Sequence, residues 1–438
     1  MGKYFSSVIK GNLFTGDKSI WMIYFFLCLI SMVEVYSASS QLTYEDGRHW
    51  ARMLHQLGFL LAGFLVVIVV HKVPYRYFML IPVVLVIVSV GLLLYTSIGG
   101  GKINGASRWI DLGFITFQPS ELAKAALVSA VAVILAKTQG TQVTTLPNGK
   151  KITETGAVKG KNRARPFWYI AGLTTFMCFL IFMENLSTAF ILFVVVVIMM
   201  FIGRIPIDLI GKMFKYYFVF GAAIVAICLI LPEKTVSEIP GLHRVTTWKH
   251  RLFDKEEAKD TTEFRVEKRL ISDDKLQETH AQIAIANSNI IGRGPGNSVE
   301  RDFLSHAESD FIFAIIIEEL GILGGLFVIS LYLALLFRII SIVSRCKTDF
   351  PAFLALGLGL LIVLQAVIHM GVATGCLPVT GQPLPIISRG GSSLLLNCAY
   401  FGMILSISRS VLEDRQKAES QTMEEDGQEN NYQANTLE

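Results

Sequence analysis

One run of the sequence constrains the fold more than any other. From Tyr77 to Ile98, 22 consecutive residues include no Lys, Arg, Asp or Glu. A helix needs about 20 such residues to cross a hydrocarbon core of roughly 30 Å. A helix also satisfies its own backbone hydrogen bonds inside lipid. The run therefore predicts a membrane-spanning helix.

The rest of the chain repeats this pattern. Of the 438 residues 52% are hydrophobic and only 17% are charged, so lipid is the expected solvent for most of the chain. Nine further apolar runs lie near 20–38, 57–70, 120–136, 167–183, 188–203, 216–232, 311–337, 352–371 and 391–408. The sequence thus predicts an all-α polytopic membrane protein with about ten transmembrane helices.

The positions of basic residues predict the topology. Short loops rich in Lys and Arg stay in the cytoplasm, and such loops occur at 72–76, 138–166, 204–215 and 338–347. The segment from Pro166 to Gly203 has basic residues at both ends and would measure about 57 Å as one helix. Two passes that turn at Glu184-Asn185 explain both observations. An even number of spans then places both termini in the cytoplasm.

This topology divides the chain into three parts. Residues 1–19 form a cytoplasmic N-terminus, 20–411 the membrane domain, and 412–438 a polar tail that composition predicts to be disordered. The membrane domain includes the basic cytoplasmic loop 138–166 and a large outer loop, 233–310, between helices 7 and 8. The outer loop carries 12 basic and 15 acidic residues, with an apolar helical face at Ala281–Ile285. The six cysteines are scattered and are expected to pack between helices.

Placing a charged residue at membrane depth costs free energy, so such residues are candidates for function. The fourth span opens with Gln118–Lys124, in which Glu121 and Lys124 stand three apart on one helix face and can pair. The alternative is an ion pair at the interface that has no catalytic role. A Gly-rich outer loop before it holds Arg108 beside Trp109, a combination that also serves as a headgroup anchor.

Three acidic residues lie near the start of the eighth span. Asp310 ends the outer loop, where partial desolvation would make its carboxylate a useful base. The alternative is that Ser309 or Asp310 caps the helix N-terminus. Glu318 and Glu319 lie further along the same span. They could mark a proton or cation path, or face a polar cleft.

A fifth polar region precedes the last span. Thr380–Pro385 is followed by Ser388–Ser393, where glycines and hydroxyls at a helix N-terminus could hold an anion and Arg389 adds a charge. The alternative is a tight re-entrant turn that needs small residues. Gln365 and His369 are lone polar residues on an apolar helix, and packing is the expected role for both.

Together these motifs resemble a known family. Asn104–Ile110, Gln118–Lys124, Ser309–Ala314 with Glu318–Gly321, and Leu377–Pro385 with Gly390–Ser393 occur in the order and topology of the SEDS family, which includes FtsW, RodA and SpoVE. The resemblance covers roughly residues 20–410. The runs Val35–Ser40 and Gly294–Val299 are more similar to the FtsW branch than to RodA.

The chain departs from the family pattern at three places. In Ser305–Asp310 the acid and the imidazole of the usual pattern exchange places, and Arg389 replaces the usual Tyr. The segment Glu184–Thr188 lacks the intramembrane Asp of the family. The family carboxylate Asp310 is retained, as are Glu121 and Lys124.

The resemblance implies a glycosyltransferase that joins disaccharide units of undecaprenyl-diphosphate-linked lipid II into glycan strands at the outer membrane face. An inverting displacement needs a base for the acceptor hydroxyl and positive groups for the departing diphosphate. The implied catalytic residues are Asp310, as the base, with Lys124 and Glu121. The candidate substrate-binding residues are Arg108, Thr380, Ser388, Arg389, Gly390, Gly391 and Ser392. No cofactor is required by the sequence, and a divalent cation could share the diphosphate role, although no ligand cluster identifies a metal site.

The resemblance also implies partners and a location. The expected partners are lipid II, membrane lipid, a class B penicillin-binding protein with transpeptidase activity, and other division proteins. Nothing in the small net charge of +4 suggests nucleic acid. The expected location is the bacterial cytoplasmic membrane at the division septum. The alternatives are a lipid II flippase or other transporter, a RodA-type polymerase of cell elongation, and a scaffold without catalysis.

Overall fold

The protein is mostly helical, as the sequence predicts. The computed structural model describes residues 14–38, 51–99, 109–111, 116–145, 151–158, 165–230, 273–304 and 307–435. The helices are α1 (Lys18–Ala38), α2 (Ala51–Lys72), α3 (Tyr75–Phe78), α4 (Pro82–Gly99), α5 (Pro119–Thr138), α6 (Arg165–Glu184), α7 (Leu186–Ile202), α8 (Ile207–Ile230), α9 (Asp273–Ala286), α10 (Ile312–Val343), α11 (Asp349–Ala373) and α12 (Gly391–Asn435).

An apolar helix lies over each of the ten predicted spans. Within the described residues, seven of these helices are long and apolar enough to cross a membrane. They are α1, α2, α5, α6, α10, α11 and α12. The protein is therefore a polytopic membrane protein, and the count of ten crossings stays a prediction.

The charge-free run from Tyr77 to Ile98 is not one helix. The short α3 ends at Phe78, and α4 begins at Pro82. Proline lacks a backbone N–H and disfavours a helical conformation in the residue before it, so Pro82 starts a new helix instead of continuing the old one. The prediction of a single helix from Tyr77 is wrong for this reason.

The predicted turn at Glu184-Asn185 is confirmed. Helix α6 ends at Glu184 and α7 begins at Leu186. The side chain of Asn185 caps α7, because its Oδ1 accepts hydrogen bonds from Ser187 N at 3.0 Å and from Thr188 N at 3.4 Å. An Asn in this position satisfies N–H groups that a helix start leaves without partners.

Helices α5 and α11 form the centre of the bundle. In each of them 72% of the most apolar 18-residue stretch is buried, compared with 22% in α2. The two central helices pack against each other, and α5 also contacts α4, α6 and α12. Polar residues on α5 and α11 are therefore held inside the protein.

The connections include more structure than the sequence predicts. Strands β1 (Ile110–Asp111) and β2 (Thr116–Phe117) form one antiparallel pair, and β3 (Gln139–Thr145) and β4 (Lys151–Val158) form another within the predicted basic loop. In the outer loop, α9 confirms the predicted helical face. The segment 231–272 lies outside the described residues.

The C-terminal tail differs from its prediction. Helix α12 continues from the membrane segment to Asn435, where disorder was expected from residue 412. Residues such as Glu, Gln, Lys and Met have high helix propensity, and ion pairs four residues apart join Arg409 to Glu413 and Arg415 to Glu419. Polar composition alone therefore does not end this helix.

Candidate active site

A segment without helical structure lies between α11 and α12, and side chains of surrounding helices hold it. Within its residues 375–390, the largely buried stretch 382–388 needs donors for its carbonyl groups, because it is shielded from water. Four of these carbonyl groups accept a hydrogen bond from a side chain. On α11, His369 Nδ1 donates to Gln382 O at 2.8 Å and Gln365 Nε2 donates to Pro383 O at 2.9 Å. The Tyr332 hydroxyl donates to Pro385 O, and Ser31 Oγ donates to Ile387 O at 2.9 Å. We call residues 375–390 the re-entrant segment.

Glu121 and Lys124 form the predicted pair, and it is fully buried. Lys124 Nζ lies 2.8 Å from Glu121 Oε1, and the two side chains are 1% and 2% exposed. Lys124 also donates to Gln365 Oε1 at 2.7 Å. The Tyr400 hydroxyl donates to the Glu121 carbonyl at 3.0 Å, which ties α12 to α5. This depth excludes the interpretation of an ion pair exposed at the interface.

Asp310 lies at the turn before α10 and faces the re-entrant segment. A methyl group added to Gly381 would lie 3.5 Å from Asp310 Oδ2. The neighbouring Ser309 carbonyl accepts a hydrogen bond from Ser388 Oγ at 2.6 Å. The N-cap position of α10 is Phe311, whose side chain makes no capping hydrogen bond. The alternative role of Ser309 or Asp310 as a helix cap stays a prediction.

The re-entrant segment connects the Glu121–Lys124 pair with Asp310. Gly381 lies against Asp310, and two residues later Pro383 is held by Gln365, which binds Lys124. Glycine is required at position 381, because its φ of +63° is a conformation that other residues rarely adopt. Three motifs that are far apart in sequence thus meet around residues 381–383. Thr380 is half-buried at the start of this stretch.

Two departures from the family pattern contact each other. The guanidinium of Arg389 forms an ion pair with the carboxylate of Glu308, and Arg389 N donates to the Glu308 carbonyl at 2.9 Å. The Arg389 side chain is 32% exposed. The unusual acid and the unusual base therefore form one pair beside Asp310. Diphosphate binding by Arg389 stays a prediction. A diphosphate there would have to compete with Glu308 for the guanidinium.

The start of α12 is tied to the start of α5. Ser392 Oγ accepts a hydrogen bond from Gln118 N at 3.2 Å. The backbone is tight at Gly390, where a methyl group would lie 2.3 Å from Ser393 Oγ. Gly391 is the first residue of α12. Small residues are needed here for packing, and their predicted role in anion binding stays a prediction.

Sequence reasoning missed the importance of Gln365 and His369. Both were expected only to pack, yet both hold the re-entrant segment, and Gln365 also binds Lys124. The signal was their spacing of four residues, which places both on one face of an otherwise apolar α11. Arg108, the remaining candidate, lies outside the described residues.

Glu318 and Glu319 anchor the outer loop. Glu318 accepts hydrogen bonds from the Ser298 hydroxyl and Val299 N, and Glu319 accepts from the Ser37 hydroxyl, Gly296 N and Ser298 N. Arg293 lies 3.3 Å from Glu318 and Arg301 lies 3.9 Å from Glu319. These contacts explain the two carboxylates as loop anchors, which a proton or cation path would not.

The described residues contain no cluster of metal-ligand side chains. Among them, no group of three or more His, Cys, Asp or Glu side chains could hold an ion. The oxygens of Glu318 and Glu319 are engaged by donors, as described above. A divalent cation that shares the diphosphate role stays a prediction.

Comparisons with known proteins identify the family of the chain. The family model of FtsW, RodA and SpoVE, described as cell cycle protein, matches residues 17–413. The chain is 30% identical over 388 residues to the probable peptidoglycan glycosyltransferase FtsW of Nitrosomonas europaea, with 86% of this chain and 89% of that protein covered. It is 28% identical over 395 residues to the peptidoglycan glycosyltransferase MrdB of Escherichia coli K12, with 89% and 93% covered.

A solved structure has the same fold. It comes from a study of how a peptidoglycan synthase complex coordinates polymerization and crosslinking, and it aligns with a TM-score of 0.65 at 23% identity, covering 90% of this chain and 98% of that one. The family match spans almost all of the ten apolar helices and every described candidate residue. The chain therefore belongs to the family of FtsW, RodA and SpoVE.

Proposed function

We propose that this protein is a peptidoglycan glycosyltransferase that polymerises lipid II at the outer face of the cytoplasmic membrane. The observation that carries the proposal is the convergence of Asp310 and the buried Lys124–Gln365 pair on residues 381–383. Relatives at 30% and 28% identity are named as peptidoglycan glycosyltransferases, which supports the same activity here.

Asp310 is the proposed general base. In the reaction, the acceptor sugar hydroxyl attacks the anomeric carbon of the donor, and its proton passes to the Asp310 carboxylate. The bond from that carbon to the lipid diphosphate breaks, and the electron pair leaves with the diphosphate. Asp310 suits this role because it is only partly buried and lies in a turn against Gly381.

Lys124 is proposed to act indirectly, by positioning a residue that holds the re-entrant segment. Its ammonium is enclosed by Glu121 and Gln365, so it fixes Gln365 and, through it, the carbonyl of Pro383. A buried charge also acts over a longer distance than one in water, because the interior screens it less. The diphosphate itself would meet the start of α12, where Thr380, Ser388, Arg389, Gly390, Gly391 and Ser392 are the candidates.

The test is polymerisation of lipid II by purified protein in detergent, with penicillin present to silence a transpeptidase. Asn has nearly the shape of Asp but is a far weaker proton acceptor, so Asp310→Asn should lower the rate at least about a hundredfold. Asp302→Asn is the matched control, because Asp302 is an exposed acid of the same outer segment. Equal polymer from wild type and Asp310→Asn would contradict the role of Asp310 as base.

The main alternative is a transporter. A lipid II flippase also needs many helices and buried charges. If the wild-type protein, with its partner, makes no polymer but moves lipid II across vesicles, the transporter explains the structure better. The second alternative is a polymerase of cell elongation, since MrdB is among the relatives. Depletion that produces filaments supports division, and depletion that produces round cells supports elongation.

The proposed partner is a class B penicillin-binding protein of the division machinery. The structural relative from a peptidoglycan synthase complex supports a partner of this kind. Both enzymes would then lie in the cytoplasmic membrane at the septum. Co-purification of the two proteins, and a fluorescent fusion that collects at midcell, would test this assignment. A protein that purifies alone and spreads over the side wall would contradict it.

A further inference from the structure

One ring nitrogen of His369 has no hydrogen-bond partner among the described residues. The residue lies on α11, one turn beyond Gln365, and is 1% exposed. Its Nδ1 is 2.8 Å from the Gln382 carbonyl, and a carbonyl can only accept, so Nδ1 carries the proton. In the neutral ring Nε2 is then an acceptor. Among the described residues, nothing donates a hydrogen bond to it.

Gln382 has a second unused acceptor. Its side chain is buried, and its Nε2 donates to Thr188 Oγ1 at 2.8 Å. Within the described part of the chain, its Oε1 receives no hydrogen bond. His369 Nδ1 binds the backbone carbonyl of Gln382, and Gln365, one turn earlier on α11, binds Lys124, so both residues with a free acceptor adjoin the candidate site. Buried polar atoms without partners are rare in proteins and need an explanation.

The chemistry of the two atoms limits what can bind there. Both are acceptors, so the ligand must donate hydrogen bonds. A diphosphate at neutral pH offers only acceptor oxygens and does not fit. Sugar hydroxyls and the N–H of an acetamido group do fit. The charged part and the sugar part of a lipid-linked substrate would therefore bind different residues.

We propose that His369 Nε2 and Gln382 Oε1 bind a donor group, a hydroxyl or an acetamido N–H, of the sugar in the lipid-linked substrate. This inference rests on the proposed function, because it assumes a glycan substrate at this site. It makes His369 bifunctional: Nδ1 positions the re-entrant segment, and Nε2 contacts the substrate. A buried water molecule on the same two acceptors is the alternative that the test must distinguish.

Two substitutions separate the functions of His369. In His369→Asn the amide nitrogen replaces Nδ1 and can still donate to Gln382, but nothing replaces Nε2. In His369→Gln the amide lies near the position of Nε2 and the Nδ1 bond is lost. We expect His369→Asn to raise the KM for lipid II about three- to tenfold with little change in kcat, the effect of one neutral hydrogen bond. We expect His369→Gln to lower kcat more than it changes KM.

Gln382 gives an independent test that does not need a folded His369 variant. Gln382→Leu removes the free acceptor and also the bond to Thr188. Thr188→Val removes only the bond to Thr188, so it is the matched control. We expect Gln382→Leu to raise the KM for lipid II at least threefold above that of Thr188→Val. Equal KM values for the two variants would overturn the proposal and leave a buried water as the ligand.

A binding measurement separates this inference from the proposed function. Fluorescently labelled lipid II is titrated into wild-type protein and into His369→Asn in detergent, without turnover. A weaker Kd for His369→Asn supports the sugar contact even if the wild type makes no polymer. An unchanged Kd together with an unchanged KM overturns it, while polymer made by the wild type would leave the proposed function standing.

Discussion

At the scale of single residues, the buried Lys124–Glu121 pair determines how mutations at this site must be interpreted. Removing one member of a buried pair leaves the other charge without compensation, which typically costs about 3–5 kcal/mol. Replacing both members with neutral side chains often has little effect on stability. A loss of activity in a single Lys124 variant could therefore reflect unfolding alone.

We predict that a double variant separates folding from catalysis. Lys124→Ala should lower the thermal midpoint and reduce lipid II polymerisation about a hundred- to thousandfold. The double variant Glu121→Gln with Lys124→Met should regain most of the thermal midpoint but little of the polymerisation. Both quantities are measured on purified protein in detergent. If the double variant polymerises at a near-normal rate, the pair has only a structural role.

The same residues show what a single sequence reveals about a site. The pairing of Glu121 with Lys124 follows from their spacing on one helix, and the structure confirms it. The donors of the re-entrant segment do not follow from spacing. Ser31 and Ile387, for example, are 356 positions apart and meet only because α1 packs beside this segment. Contacts of this kind depend on the tertiary fold, which local patterns do not specify.

Arg389 and Glu308 show a different limit of sequence-based prediction. Each was recognised as a departure from the family pattern, but nothing in the sequence joined them. The structure explains both at once, since the two side chains form an ion pair and Arg389 N also binds the Glu308 carbonyl. A change at one position is thus accompanied by a change at its contact.

At the scale of elements, helix α10 is interrupted, and the outer loop supplies hydrogen bonds to its backbone at the break. Gly321 has φ +73° and breaks the helical hydrogen-bond pattern. Backbone groups of the loop replace the lost partners on both sides of the break. Before it, Glu318 O accepts from Arg293 N at 3.1 Å and Glu319 O accepts from Gly294 N at 2.8 Å. After it, Ile322 N donates to Asn289 O at 3.2 Å and Leu323 N donates to Ile290 O at 3.3 Å. Residues 289–299 are therefore part of the membrane domain's structure.

Close approach of the two backbones requires glycine. A methyl group at Gly292 would lie 2.3 Å from Glu319 O, whereas one at Gly296 would meet nothing within 4 Å. Both glycines have positive φ, at +81° and +85°. They therefore share the cost of placing alanine in this conformation, about 1–2 kcal/mol. Only Gly292 adds a clash with the backbone.

We predict that Gly292→Ala destabilises the protein by about 1–3 kcal/mol more than Gly296→Ala does, because the clash adds to the shared backbone strain. Loosening this contact should also lower polymerisation, since Asp310 immediately precedes the outer half of α10. The measurements are thermal unfolding in detergent and lipid II turnover for both variants. Equal losses in the two variants would show that the loop contact does not hold α10.

The elements that sequence reasoning missed share a cause. Hydrophobic runs predicted all ten apolar helices, because burial in lipid is a strong and local requirement. The hairpin of β3 and β4 and the helical tail lie where that requirement is weak, and the break at Pro82 lies inside an apolar run, where hydrophobicity alone does not say where a helix starts. There, proline sterics, strand pairing and helix propensity decide the structure. The kink at Gly321 was missed because it depends on a loop from elsewhere in the chain.

At the scale of the whole molecule, contacts gather the predicted cytoplasmic segments at one end. Arg338 Nε lies 2.7 Å from Asp17 Oδ2, and Arg409 donates to the Lys72 carbonyl at 3.3 Å. Gln139, at the start of the basic loop, donates to the Gly203 carbonyl at 3.0 Å. Asp310 and the loop anchors Glu318 and Glu319 belong to the other end of α10 from Arg338. The geometry thus agrees with the topology that the basic loops predict, and it leaves the direction across the membrane as a prediction.

We predict that the end with the basic loops faces the cytoplasm, because short loops rich in Lys and Arg are retained there. Two exposed lysines test the direction: Lys275 on α9 in the outer loop, and Lys347 in the link between α10 and α11. In a background without the six native cysteines, Lys275→Cys should react with an impermeant maleimide on intact spheroplasts. Lys347→Cys should react only after the membrane is permeabilised. The opposite pattern would place Asp310 at the cytoplasmic face, where a polymerase of exported glycan could not work.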